Sequence, residues 1–193
     1  VYALDGDSAP LIELVELCAA KKNVFLIVDE AHALGVFGSQ GRGLCNALGI
    51  ENKCFARIYT YGKAMGCHGA AVVGDELLRN YLINFSRSFI YTTALPNHSV
   101  NAILNAYQLL IETDKKDVLQ NNISYFYSKT NTIKAMIKSQ SAIHSLVVGS
   151  NEKADLLEKK LALKNIYAKA IKSPTVKEGT ERVRFCIHAF NTK

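Results

Sequence analysis

The stretch "NVFLIVDEAH" (Asn23–His32) decides the fold. A short, unbroken apolar run closes on two acids and a histidine. Such a run reads as a strand buried on both faces, the habit of a parallel sheet. Before it, "PLIELVELCAAKK" (Pro10–Lys22) carries apolar residues at helical spacing, with Pro10 suited to a first turn and Ser8 as a candidate cap. After it come a glycine-rich loop, "GVFGSQGRGL" (Gly35–Leu44), and a second strand, "FARIYTYGKAMG" (Phe55–Gly66), that enters a glycine-flanked turn. "GAAVVGDELLRNYLINFS" (Gly69–Ser86) reads as strand, Asp75 cap and helix. "VYAL" (Val1–Leu4) and "SFIYTTALPN" (Ser88–Asn97) read as further strands, the latter turning at Pro96. Alternating strands and helices predict an α/β domain.

From His98 the texture changes. "HSVNAILNAYQLLIET" (His98–Thr113) and "VLQNNISYFYSKTNTIKAMIKS" (Val118–Ser139) are long helical patterns. "HSLVVGS" (His144–Ser150), "NIYAKAI" (Asn165–Ile171) and "ERVRFCIHAF" (Glu181–Phe190) are strand-like, with a helix "EKADLLEKKLAL" (Glu152–Leu163) among them. The expected division is a domain over residues 1–114, ending in a long helix, and a small α+β domain over 115–193. The chain opens on Val1 rather than Met, so it is expected to be the C-terminal part of a longer protein.

Composition narrows the class. At 49% hydrophobic and 21% charged residues, the chain is of ordinary globular type. No apolar run approaches the roughly 20 residues that cross a bilayer, and no basic-then-apolar leader argues for export. The five cysteines are scattered, odd in number and without a CxxC pair, which predicts reduced cytoplasmic thiols and no metal site. The net charge of +6 permits a nucleic-acid partner, but the lysines alternate with acids and apolar residues, as on a solvated helix face. Neither a nucleic-acid nor a membrane partner is expected.

In open α/β sheets, ligands bind beyond the carboxyl ends of the strands. Asp29 ends the first run, with His32 three residues on. Lys63 follows the second, with Thr60 three residues before it. Thr92 and Thr93 end "FIYTT". Singly, each has an ordinary structural use as a cap, a loop residue or a surface group. Together they match the needs of pyridoxal 5'-phosphate (PLP), which requires a lysine amine for its carbonyl, an acid at its pyridinium nitrogen and hydroxyls for its phosphate. Glycines beside the lysine let a flat cofactor approach the backbone.

With these residues the sequence resembles the α-oxoamine synthases, within the fold-type I PLP-dependent enzymes. The matching pieces are "DGDSAPL" (Asp5–Leu11), "VDEAHALGVFGSQGRG" (Val28–Gly43), "TYGKAMGCHGAAV" (Thr60–Val72), "FIYTTALP" (Phe89–Pro96) and "SPTVKEGTERVRFCIHA" (Ser173–Ala189). The resemblance implies part of a large mixed-sheet domain plus a small C-terminal domain. It implies that Lys63 is the Schiff-base lysine, Asp29 the pyridinium partner and His32 the contact to the phenolic oxygen. Thr60 is implied as a phosphate ligand, joined by Thr92 and Thr93 across a homodimer interface, and Arg184 as the clamp for the amino-acid carboxylate. The family joins an amino acid to an acyl-CoA or acyl-ACP thioester with loss of carbon dioxide. "DGDSAPL" and "GSQGRG" are most similar to the members that use L-alanine and a pimeloyl thioester, with glycine- and serine-using members as alternatives. Two departures stand out: Ala3 occupies a position where the family commonly has serine, and the family's N-terminal half is absent from the sequence.

Two other readings compete. "VDEAH" (Val28–His32) also resembles the acidic Mg²⁺ box of a nucleic-acid ATPase, which needs a G-x-x-x-x-G-K-[ST] phosphate loop. Here Gly62-Lys63 is followed by Ala64, with no glycine at the required upstream place. The chain could also be an interaction or dimerisation fragment without activity.

Overall fold

A computed structural model describes residues 1–192. Residue 193, the end of the expected small domain, lies outside the described residues. The chain divides into two compact units: Val1 with Pro10–Lys116, and Tyr2–Ala9 with Asp117–Lys193. No helix is long and apolar enough to cross a membrane among the described residues.

In the first unit, α1 (Leu11–Ala19) precedes β1 (Ile27–Asp29), α2 (Leu44–Ala47), β2 (Ala56–Thr60), β3 (Ala70–Gly74), α3 (Glu76–Phe85) and α4 (Asn97–Glu112). The strands form one sheet in the order β1-β2-β3. β1 and β2 are parallel, with Asp29 beside Ile58, whereas β2 and β3 are antiparallel, so the sheet is mixed. Leu34, Tyr59, Tyr61 and Met65 form a buried cluster against which Ile103, Ala106, Tyr107 and Leu110 of α4 pack. The Asp75 carboxylate caps α3 by accepting from the Leu78 N–H at 2.7 Å.

Several local expectations are corrected. β1 is not buried on both faces: Val28 is buried, but Phe25 is 64% and Ile27 55% exposed. It is an edge strand of only three residues, so most of its apolar run lies outside the ladder. "VYAL" is not a strand. The Tyr2 N–H donates to Asp7 O and the Gly6 N–H to Tyr2 O, closing the segment on itself in a turn. Ser8 does not cap α1, whose N-cap position is Pro10 and has no side-chain hydrogen bond. "SFIYTT" forms turns rather than a strand. The Phe89 and Ile90 N–H groups donate to Ser86 O, the Thr92 N–H donates to Phe89 O, and the Thr92 hydroxyl donates to Ser88 O. Local bonds of this kind compete directly with strand pairing.

In the second unit, α5 (Lys115–Thr130; its first two residues count with the first unit) leads to β4 (Ile143–Val147), α6 (Asn151–Ala162), β5 (Lys169–Ile171) and β6 (Arg182–Cys186). The antiparallel sheet runs β4-β6-β5. α5 stops at Thr130 rather than continuing to Ser139, because the chain there leaves the helix to run beside β4: the Ile137 N–H donates to Ser145 O and the Val147 N–H to Ala135 O.

Alternation sorts the strand side chains between the two faces of this sheet. On one face, Phe126 of α5 lies 4.8 Å from the His144 ring and 5.7 Å from Phe185. Ala154, Leu157 and Leu161 of α6 pack there with Ala170 and Val183. On the other face lies the strap Tyr2–Ala9. The Ser145 hydroxyl donates to Leu4 O at 2.6 Å, Arg184 Nε to Ala3 O at 2.8 Å and the Ser139 hydroxyl to Gly6 O at 2.9 Å. The Arg182 guanidinium meets the Asp5 carboxylate. Gly6 has φ +76°, and a Cβ there would lie 2.0 Å from Ile143 O, so no other residue fits.

Candidate active site

Because β1 and β2 run parallel, their carboxyl ends fall at the same end of the sheet. Asp29 ends β1 beside Ile58, Thr60 ends β2, and Lys63 sits in the turn that follows. Lys63 is exposed, and its Nζ donates to the Thr60 hydroxyl at 3.0 Å. The turn is held by the Gly66 N–H on Lys63 O and the Cys67 N–H on Tyr61 O. Gly66 takes a left-handed φ of +61° with open space around it, so a side chain would be strained there although nothing would block it. Beneath the turn, Tyr61 meets Tyr107 of α4 edge-on at 6.0 Å. The lysine's turn thus rests on the buried side chains of Tyr61 and Met65.

The Asp29 carboxylate is aimed by its own backbone. Its Oδ1 accepts from the Ala31 N–H at 2.7 Å, and Oδ2 takes no hydrogen bond among the described residues. His32 follows, half-buried, in the turn whose Ala33 and Leu34 N–H groups donate to Glu30 O. Lys63, Thr60 and Asp29 therefore share one sheet end. Thr92 and Thr93 are exposed in the turns after α3, with no described hydrogen bond to those three. Arg184 belongs to the second unit, half-buried on β6 and bonded to Ala3 O.

One residue that carries the local geometry escapes the sequence reading. Glu30 is 1% exposed, and its carboxylate accepts from the N–H groups of Leu44 and Cys45 at 2.9 and 2.8 Å. It ties the far end of the glycine-rich loop to the strand end that bears Asp29. Gly43, at φ +112°, lies so close that a Cβ would come 2.8 Å from this carboxylate. The available signal was strand alternation: with Asp29 facing out, its neighbour must face in.

These groups fit PLP by chemistry. An exposed primary amine is held by a neighbouring hydroxyl, and a carboxylate has one oxygen fixed by a backbone N–H. They do not fit a nucleotide phosphate loop, in which the lysine turn opens a helix. Here the turn leads into β3, antiparallel to β2.

Comparison with known proteins agrees with this chemistry. The family model for aminotransferase class I and II matches residues 1–193. The chain is 39% identical over 207 residues to the 8-amino-7-oxononanoate synthase of Emericella nidulans, with all of this chain and 49% of that protein covered. Among solved structures, 8-amino-7-oxononanoate synthase from Francisella tularensis superposes with a TM-score of 0.85 at 33% identity, covering 100% of this chain and 56% of the other. A serine palmitoyltransferase with a PLP internal aldimine superposes at 0.90 and 28% identity, covering 100% and 49%. The chain spans about half the length of the curated relatives it matches. With the family model running its full length and its amine and carboxylate at the ends of adjacent parallel strands, the chain belongs to the aminotransferase class I and II family.

Proposed function

We propose that this chain is the lysine-bearing half of an α-oxoamine synthase that joins an amino acid to an acyl thioester with loss of carbon dioxide. The observation that carries the reading is the shared sheet end of Lys63, Thr60 and Asp29. Similarity to 8-amino-7-oxononanoate synthases supports biotin synthesis as the setting, with L-alanine and a pimeloyl-CoA or pimeloyl-ACP thioester as substrates. The serine palmitoyltransferase likeness keeps a serine-using relative as the second choice. The working form is a homodimer in the cytoplasm.

PLP, when bound, supplies a carbonyl for the amine and a ring that accepts electrons from the amino acid's α-carbon. Lys63 Nζ would hold the cofactor's carbonyl, and its amine is the group placed to take the α-proton. Asp29 Oδ2 keeps the ring nitrogen protonated, its position set by the Ala31 N–H on Oδ1. His32 contacts the phenolic oxygen. Thr60 binds phosphate from within the chain, and Thr92 and Thr93 bind it from a second copy. The Arg184 guanidinium grips the substrate carboxylate through its paired donors.

The test is a PLP titration read by the visible imine band, followed by borohydride trapping and peptide mass mapping. The expected label is on Lys63. Lys63→Ala should lose the band and, in the complete gene product, lower turnover by about a thousandfold or more. A label settling on another lysine would sink the assignment. If the chain alone shows no band, the complete gene product decides: a Lys63 imine there supports the reading, and none overturns it.

A further inference from the structure

We infer that Cys45 and Cys54 are a paired thiol site, closed into a disulfide by a small-molecule disulfide that enters from the groove beside Cys54. Their sulfurs lie 3.8 Å apart. A disulfide bond is ~2.05 Å long, so closure asks for an approach of under ~2 Å. The intervening chain already doubles back: the Ile50 N–H donates to Cys45 O at 3.0 Å, and the Cys54 thiol donates to Ile50 O at 3.4 Å.

The two thiols differ in access, which divides their roles. Cys45 is 0% exposed on α2, whereas Cys54 is half-buried and lines an open groove of about 810 Å³ with Val15, Cys18, Phe25 and Arg57. Cys54 therefore meets the reagent and Cys45 resolves the product from behind. The Cys54 thiolate attacks one sulfur of R′S–SR′ and expels R′S⁻, leaving a mixed disulfide. The Cys45 thiolate then attacks Cys54 Sγ and expels a second R′S⁻. The two protein thiol protons end on the two R′SH released, so one small disulfide is reduced as the protein pair is oxidised.

Burial holds both thiols above their ordinary range, and Cys45 is raised furthest, with the Glu30 carboxylate adding to the effect. Glu51 also raises Cys54, while Arg57 lowers it. The exchange is accordingly slow at neutral pH and quickens as pH rises, because only the thiolate attacks. Closure would fasten α2 to the lead-in of β2 while Glu30 keeps its hold on the Cys45 N–H.

The experiment incubates the reduced, folded chain with oxidised glutathione at mildly alkaline pH. Acid quench, tryptic digestion without reductant and mass mapping follow. The expected product is Gly43–Lys53 linked to Cys54–Arg57, with the molecule lighter by two hydrogens and Cys67 and Cys186 still reduced. Cys45→Ser should stop at a glutathione adduct on Cys54. The same treatment in urea should spread links over other cysteine pairs. Three results would each overturn the inference: Cys45 staying reduced while Cys54 keeps its adduct, a Cys18–Cys54 link from across the groove, or the same mixture of links in folded and unfolded chains.

Discussion

In the second unit, both faces of a three-stranded sheet are covered by the unit's own chain: helices on one, the strap Tyr2–Ala9 on the other. In the first unit, an equally small sheet leaves Val72 53% exposed, and α3 shows Leu77 at 79%. Charge follows the same divide. The second unit buries Arg182 against Asp5 and His144 against Phe126. The first buries Glu30 to hold a loop and leaves its neighbour Asp29 at the surface. Within a single dipeptide, the buried carboxylate ties down a loop and the exposed one is the candidate for chemistry.

The largest way to break that distinction is to remove Glu30. Glu30→Ala leaves the buried N–H groups of Leu44 and Cys45 unsatisfied, at an expected cost of about 3 kcal/mol. Asp29→Asn, one residue away, should change stability by less than about 0.5 kcal/mol. Urea midpoints compare the two, and hydrogen exchange should show the Leu44 and Cys45 amides losing protection only in the first. Equal costs would erase the distinction.

His144 sharpens the comparison from the other unit. Burial holds its pKa down at about 4, against 6.5 when solvated, although a hydrogen bond with the Ser141 backbone pulls the other way. Its Nε2 has no partner among the described residues. Below pH 6.5 the unfolded chain takes up a proton that the folded ring refuses. Stability is therefore whole above about 6.5 and falls as pH drops toward 4, with a loss of about 2 kcal/mol by pH 5. His144→Leu should flatten this acid limb in urea titrations at the two pH values. An unchanged slope would show that the ring is wetter than its contacts imply.

The smallest effect concerns the strap. Asp5→Asn leaves Arg182 without its counter-charge. A buried pair broken on one side costs about 3 kcal/mol or more. Asp5 is partly exposed, so about 1–2 kcal/mol is expected after solvent screening. Faster amide exchange along β6, with the first unit unchanged, would be the signature. No change along β6 would mean that the strap is held by its backbone bonds alone.

Much of this organisation could be read directly from residues. Asp75 as a cap, the β2 strand running into the Lys63 turn, and α6 all follow from spacing and punctuation that act within a few positions. What failed depended on which partners the backbone groups find, near or far. "VYAL" is apolar enough for a strand, but its carbonyls are claimed by Ser145 and Arg184, far along the chain. "SFIYTT" has strand-forming residues, yet Ser86 and Ser88 offer nearer acceptors than any strand. The edge position of β1 left Phe25 and Ile27 uncovered, which no local pattern encodes. Of the candidate site, the sequence placed Asp29, Thr60 and Lys63 at the ends of one strand pair, where the structure also has them. Glu30 stayed hidden because its partners stand fourteen and fifteen positions ahead.

The strap also sets an order of events in time. Asp5 and Arg182 are 177 positions apart, and Leu4 and Ser145 are 141. A ribosome delivers the strap well before the β6 part of its seat, and closing so long a loop is the slow kind of contact to make. A chain stalled just after α6 would hold the entire sequence of the first unit. Arg182 and Arg184 would still be unmade, and Ala3 and Asp5 would be waiting for them.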